Sequence, residues 1–172
     1  MKKVFFTIFV ALSCATLLTA NTIKDDKAIK HTLLKYNYGI IKMAKSGETD
    51  FFKTFVKKEV VTKLMLWVKS WQDNNLVMIA DINDFQFSPI IYNEDNATMT
   101  TREEWTFSYV NIATKEIALE PVDIYYEMRY TLEKKGDSWM IVEIKHLKEK
   151  ITQKKKDHAP ELKQNKENIK EK

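Results

Sequence analysis

One acidic residue, Glu103, stands in a stretch where apolar or aromatic residues alternate with polar ones. Residues two apart on a β-strand share a face. The carboxyl group therefore lies on the same face as Met99, Thr101, Trp105, Phe107 and Tyr109. A carboxyl group removed from water on such a face can act as a general base or anchor a ligand. Two other readings stay open: a one-residue bulge turns Glu103 outward, or Glu103 forms a structural ion pair with Arg129 or a lysine.

Four tyrosines on the same predicted sheet could complete a catalytic pair with this acid. They are Tyr109, Tyr125, Tyr126 and Tyr130. Small isomerases place an acid and a tyrosine donor in one pocket, and Glu103 with Tyr126 or Tyr130 would match that arrangement. Packing with a satisfied hydroxyl is the commoner role of such tyrosines. An open pocket with Glu103 facing a tyrosine hydroxyl would favour an enzyme, and a pocket filled by tryptophan and phenylalanine a binding module.

Two tryptophans, Trp67 and Trp71, lie one turn apart on a predicted helix. Their spacing indicates core residues that cover the sheet, with the alternative that one lines an apolar ligand cavity. The predicted pocket residues are therefore Trp67, Trp71, Met99, Glu103, Trp105, Phe107, Tyr109, Tyr126 and Tyr130.

The sequence lacks the motifs of several common site classes. Its histidines, His31, His146 and His158, are far apart and form no His-x-x-x-His pair, so no metal site is predicted. With three glycines in the chain there is no glycine-rich phosphate loop, and no Gly-x-Ser-x-Gly elbow occurs. We therefore predict no cofactor.

Helical patterns come first along the chain. Residues Lys24 to Lys45 carry apolar side chains at steps of three and four, which predicts an amphipathic helix. A shorter helix is predicted from Glu48 to Val56 and a third from Lys57 to Trp71. The run from Leu76 to Ile82 is compatible with one more helical turn.

Strand patterns follow, beginning at Phe85. Residues Ala97 to Ile112 alternate with a period of two, and Thr114 to Pro121 is predicted to be a loop. A hairpin then spans Val122 to Leu147, with a turn at Gly136. Its return strand, from Trp139, is apolar on both faces at first, which predicts a central strand.

Helices followed by an antiparallel meander predict an α+β domain, with N-terminal helices packed on a curved antiparallel sheet of about four strands. The closing hairpin, YxMRYxLxxxGxSWMIVEI over Tyr126 to Ile144, resembles the nuclear transport factor 2-like (cystatin-like cone) superfamily. Together with Glu104-Trp105 it is most similar to the IMS-type domains of bacteria and plastids. The resemblance covers Ile29 to Leu147. It implies a cone-shaped pocket between sheet and helices and an outer sheet face that often pairs two protomers, but it does not settle function, because the superfamily holds both enzymes and binding modules.

The N-terminus, residues 1–20, predicts an export signal. Two lysines precede an apolar run from Val4 to Leu18, and the small residue Ala20 favours cleavage before Asn21. The mature chain would then be periplasmic and free of cysteine, since Cys14 is the only one, which excludes disulfides and thiolate chemistry. Lipid attachment at Cys14 and an uncleaved membrane anchor are the alternatives.

Residues 148–172 predict a charged tail, helical or disordered. The tail holds nine lysines against five acidic residues, enough to account for the formal charge of +4 of the whole chain, whereas residues 21–147 hold 17 basic against 19 acidic residues. The basic charge therefore does not mark a nucleic-acid-binding surface. Residues Lys154 to Lys156 either stay solvated, the commoner role of such a run, or associate weakly with a membrane or an acidic partner.

These patterns together predict an exported envelope domain, residues 21–147, that acts as a binding or assembly module without catalysis. Its partner would be a protein or a small apolar ligand, and its outer sheet face could form a homodimer. The alternatives are a small-pocket isomerase or dehydratase using Glu103 with a sheet tyrosine, and a membrane-tethered subunit of an envelope complex.

Overall fold

A computed structural model describes residues 2–152 of the chain, with side chains described from residue 23 to residue 151. The order of elements is α1 (Lys2–Ser46), a 3-10 helix (Asp50–Thr54), α2 (Lys58–Gln72), β1 (Leu76–Phe87), β2 (Ile91–Asn93), β3 (Asn96–Asn111), β4 (Ile117–Lys135) and β5 (Ser138–Thr152). The sheet is antiparallel, in the order β1-β3-β4-β5, and the short β2 pairs with β3. Two helices packed on a five-stranded sheet confirm the predicted α+β class.

The apolar stripe of α1 packs on the sheet as its spacing predicts. The buried side chains of this stripe are Ile29, Leu33, Tyr36, Ile40 and Met43. They recur at steps of three and four, so they share one face of the helix. The 3-10 helix, where a short α-helix was predicted, places Phe52 against this stripe at Gly39. A Cβ at Gly39 would lie 2.6 Å from Phe52 Cε1, so only glycine permits this approach.

Alternation along β3 and β4 sets which side chains face the helices. The register pairs Glu103 with Tyr126 and Met99 with Tyr130. Tyr130 and Leu132 are buried, as the predicted apolar face of the hairpin requires. The concave face of the sheet therefore carries the predicted pocket residues of β3 and β4, whereas Trp67 and Trp71 lie on α2. The opposite face carries exposed charged side chains such as Arg102 and Arg129.

Two segments differ from their predicted structure. Residues Leu76 to Ile82 form the start of β1, not a helical turn, because they pair with β3 from Asn111 back to Trp105. Part of the predicted loop from Thr114 to Pro121 is strand, since β4 begins at Ile117.

The prediction that the return strand is central was wrong, because β5 lies at the edge of the sheet. The chain around Val56 covers this edge at one point: Lys57 N donates to Ile141 O at 2.8 Å, and Ile141 N donates to Phe55 O at 2.9 Å. Strand β5 also continues to Thr152, five residues beyond the predicted end of the domain at Leu147. The rest of the predicted tail, with Lys154 to Lys156 and His158, lies outside the described residues.

An ionic and hydrogen-bonded clamp joins α1 to the β4–β5 hairpin. Asp25 accepts hydrogen bonds from Lys134 Nζ at 2.8 Å and from Trp139 Nε1 at 3.0 Å. Asp26 accepts one from the Tyr92 hydroxyl at 2.5 Å. These contacts hold the part of α1 around Asp25 and Asp26 against the sheet. The side chains of the predicted export signal, Cys14 included, are outside the described residues. Among those described, no helix combines the length and apolar content needed to cross a membrane.

Candidate functional site

Glu103 lies on the concave face of β3 and is 3% exposed. Its Oε1 accepts hydrogen bonds from Thr101 Oγ1 at 2.5 Å and from the Tyr130 hydroxyl at 2.8 Å. Its Oε2 accepts one from Trp105 Nε1 at 2.9 Å. The side chain thus points inward, and its partners are hydrogen-bond donors on β3 and β4 instead of Arg129 or a lysine.

Alternation explains why these donors converge. Thr101, Glu103 and Trp105 are spaced by two on β3, so they share one face. Tyr130 reaches the carboxyl group from the neighbouring strand. Three neutral donors satisfy the hydrogen-bond acceptors of this buried carboxyl group without a salt bridge.

Two buried tyrosines that feel the charge of Glu103, Tyr130 and Tyr36, are held in their neutral form. Burial raises the pKa of Tyr130 well above its usual value, and the negative charge of Glu103 raises it further. Burial and the same charge also raise the pKa of Tyr36, whose ring lies 5.8 Å from that of Tyr130. Both phenols therefore remain protonated at neutral pH.

A cavity of about 240 Å³ opens between the helices and the sheet above Glu103. Helices α1 and α2 supply one wall with Tyr36, Asn37, Ile40, Leu64 and Trp67. Strands β3 and β4 supply the other with Glu103, Trp105, Phe107, Tyr126, Met128 and Tyr130. The rings of Trp105 and Phe107 stack at 5.5 Å with an angle of 8° between their planes, so this wall is flat and aromatic.

Two exposed residues of β5, His146 and Glu149, mark the mouth of the cavity. Their side chains lie 3.7 Å apart, from Nε2 to Oε2. The Tyr126 ring lies 5.4 Å from the His146 ring. Partial burial, with the charges of Glu149 and Glu103, raises the pKa of Tyr126 to about 12.

An apolar groove of about 530 Å³ adjoins the cavity, because Trp67, Phe107 and Tyr126 line both spaces. Trp71 and Tyr109 form its inner part, with ring centroids 4.5 Å apart. The outer part consists of Leu119, Val122, Ile124 and Ile151, with Glu120 as its one charged residue. The concave side of the domain therefore presents apolar surface well beyond Glu103.

The structure brings most of the predicted pocket residues together. The residues that line the cavity are Trp67, Glu103, Trp105, Phe107, Tyr126 and Tyr130, and those that line the groove include Trp71 and Tyr109. Met99 lines neither space and is buried in the core.

Sequence reasoning predicted Trp67 on the helical wall but missed the other residues of that wall and the two at the mouth. Asn37 lies four residues after Leu33 and three before Ile40, so the spacing of the apolar stripe already places it on the buried face. A polar residue at such a position was the available signal. Glu149 was missed because it lies beyond the predicted domain end at Leu147, whereas His146 lies before that end and was considered only as a metal ligand.

Within the described part of the chain, no group of three or more histidine, cysteine, aspartate or glutamate side chains is placed to hold a metal ion. His31 is exposed on α1, far along the chain from His146 at the mouth.

No protein-family model matches the chain, and no curated protein matches it by sequence. Its structure is similar to the intermembrane space region of the chloroplast protein ARC6, with a TM-score of 0.61 and 11% identity over 70% of this chain and 95% of that one. Weaker similarities join it to a conserved protein of Planctomyces limnophilus DSM 3776 (TM-score 0.44, 9% identity, 72% of this chain and 98% of that one) and to a protein of Kribbella flavida (0.49, 9%, 75% and 95%). The first similarity shows a shared fold.

Proposed function

We propose that this chain is an exported domain of the nuclear transport factor 2-like kind that binds a small, neutral, apolar ligand in the cavity and performs no catalysis. The observation that carries the proposal is the saturation of Glu103 by Thr101, Trp105 and Tyr130. To abstract a proton from a ligand, this carboxylate would have to reorganise hydrogen bonds that its own chain already makes. The polar floor therefore suits recognition, and the aromatic walls supply the apolar contact area.

A catalytic role is the second candidate, and one observation favours it: the cavity is open and Glu103 faces a tyrosine hydroxyl. However, the single hydroxyl proton of Tyr130 is donated to Glu103 and is not available to a substrate. The half-buried Tyr126 remains as the other phenol on the cavity wall.

Binding can be tested by titrating 15N-labelled protein with indane, a two-ring hydrocarbon. An apolar cavity of about 150 Å³ binds benzene, so about 240 Å³ is sufficient for a two-ring compound. We expect shifts in the amide signals of cavity residues. Leu64→Trp would fill the cavity from α2 and abolish the shifts.

Leu66→Trp is the matched control, since Leu66 is on the same helix but 64% exposed and not on the cavity wall. It should bind indane as the wild type does. Absence of binding to the wild type, or binding that Leu64→Trp leaves intact, would contradict the proposal.

The same cavity can be tested for proton abstraction with 1-indanone, whose C–H bonds next to the carbonyl exchange with deuterium when a base removes the proton. The binding proposal expects the exchange rate in D2O to be unchanged by the protein. Acceleration that disappears in Glu103→Gln would establish the catalytic candidate instead.

Export is supported by the N-terminal pattern of lysines, apolar residues and Ala20. The similarity to an intermembrane space region is compatible with an extracytoplasmic domain. Mass spectrometry of the mature protein would distinguish a start at Asn21 from a lipidated Cys14 and from an intact Met1. A start at Asn21 is the expected result.

An assembly role is compatible with the same fold, and the tail is the part that could carry it. Affinity capture from envelope extract would compare the full chain with a chain that ends at Thr152, which keeps all of β5. A protein partner that depends on the tail would move the function away from the cavity.

A further inference from the structure

The side-chain amide of Asn37 is an unusual feature of the cavity wall. Asn37 is 2% exposed, and its Nδ2 makes no hydrogen bond to any described residue. A buried polar group without a partner is destabilising. Leucine at this position would continue the apolar stripe of α1 at no such cost. The amide therefore has a reason to be there other than packing.

The neighbouring Tyr130 phenol does not satisfy the amide. Asn37 lies close enough to the Tyr130 phenol to oppose the rise in its pKa, although the two groups do not reach ordinary hydrogen-bond geometry. An amide nitrogen carries two hydrogens. At most one of these hydrogens can point toward the Tyr130 oxygen, so the other is left for a ligand in the cavity.

The charges around the cavity select against anions. Two carboxyl groups line it, from Glu103 at the floor and Glu149 at the mouth, and no lysine or arginine is among its described lining residues. A ligand carboxylate or phosphate would meet like charge at both ends. The oxygen that accepts from Asn37 therefore belongs to a neutral group.

We propose that Asn37 is the polar anchor of the cavity, and that the ligand is a flat, neutral, apolar molecule with a carbonyl oxygen that accepts a hydrogen bond from Nδ2. This inference rests on the proposed binding function and deepens it. The stacked rings of Trp105 and Phe107 set the flat shape. The unpaired N–H sets the need for an acceptor, because a site with a buried donor rejects an analogue that leaves it unpaired.

The test compares 1-indanone with indane, which have the same ring skeleton and differ in one carbonyl group. We expect the wild type to bind 1-indanone about tenfold more tightly, the ratio that corresponds to one added hydrogen bond. Asn37→Leu, which keeps the size of the side chain, should bind both compounds equally. Thr32→Val is the control, since Thr32 is also buried on α1 but does not line the cavity, and it should keep the preference.

A second measurement on the wild type covers the case in which Asn37→Leu does not fold. The side-chain NH2 signals of Asn37 should shift with 1-indanone and not with indane. Equal affinity for the two compounds, with these signals unmoved, would overturn the role of Asn37 and leave the binding function standing. Failure of both compounds to bind would overturn both proposals.

Discussion

The Tyr130 hydroxyl on β4 donates to Glu103 Oε1 on β3 at 2.8 Å, and both side chains are almost fully buried. This bond joins β3 and β4, the two long strands that form the sheet wall of the cavity. A hydrogen bond to a charged group contributes about 1.5 to 3 kcal/mol to stability. The candidate site is therefore also part of what holds the sheet together.

Replacement of Tyr130 by phenylalanine should lower the free energy of unfolding by about 1.5 to 3 kcal/mol. The ring stays in place, so the loss comes from the missing donor to Glu103 Oε1. Urea denaturation followed by tryptophan fluorescence would measure it. Tyr38→Phe is the control, because Tyr38 is 69% exposed, and it should change stability very little. Equal effects of the two substitutions would show that the bond contributes nothing.

Gly39→Ala should destabilise the protein even though alanine is the better helix former. The gain in helix propensity is about 1 kcal/mol. The new Cβ would lie 2.6 and 2.7 Å from Cε1 and Cζ of the buried Phe52, and overpacking of this kind costs about 1 to 3 kcal/mol. Thermal unfolding should show a lower midpoint for Gly39→Ala.

Phe52→Leu provides the check on this mechanism. It removes the ring that the Cβ would meet, so Gly39→Ala should cost less in the Phe52→Leu background than in the wild type. If the two losses simply add, the close approach of Gly39 to Phe52 is not the cause.

The sequence predicted the parts of the fold that obey one clear period. The helical stripe from Ile29 to Met43 corresponds to one buried face. The alternation from Val122 to Leu132 predicted the face on which Tyr130 and Leu132 are buried, although Val122 is exposed and Ile124 to Met128 are only partly buried. The run from Leu76 to Ile82 is apolar almost throughout, and periodicity alone does not separate a buried strand from a buried helix turn. Pairing with β3 makes this run a strand, and its partners on β3 lie some thirty residues further along the chain.

The position of β5 could not be read from its apolar first half for a similar reason. Trp139 and Ile141 face the core, while Met140 and Val142 are half-buried on the other side. The segment around Val56 covers part of this edge, and that contact depends on tertiary structure. The anchor Asn37 was missed because alternation on the strands located the sheet side of the pocket but gave no sign of which helical turn lies opposite.

Asp25→Asn should weaken the clamp between α1 and the β4–β5 hairpin in a pH-dependent way. Partial burial acts to raise the pKa of Asp25, but hydrogen bonds from Lys134 and Trp139 and the charges of Lys134 and Lys24 outweigh it and hold the pKa below its ordinary value of 3.8. A carboxyl group whose pKa is lower in the folded state stabilises that state above its unfolded pKa, and the effect is lost as the pH falls through the folded value. The wild type should therefore be more stable than Asp25→Asn at pH 7, and the difference should shrink below about pH 4.

Denaturation at a series of pH values from 7 to 3 would measure this difference. Asp137→Asn is the matched control, since the Asp137 side chain is 98% exposed and its contact with Lys24 is 3.8 Å long. An exposed pair of this kind contributes little, so this variant should follow the wild type throughout. A constant gap between Asp25→Asn and the wild type at all pH values would rule out the ionised clamp.

Trp105 and Glu103 should be energetically coupled, because Trp105 Nε1 donates to Glu103 Oε2 at 2.9 Å. A double-mutant cycle with Trp105→Phe and Glu103→Gln should give a coupling of about 0.5 to 3 kcal/mol, the range for residues in one hydrogen-bonded network. Trp71 supplies the control. Its Nε1 is buried without a partner among the described residues, and its ring packs on Tyr109 instead. A cycle of Trp71→Phe with Glu103→Gln should therefore give a coupling near zero. Similar coupling in the two cycles would mean that Glu103 acts on the whole aromatic wall and not through its bond to Trp105.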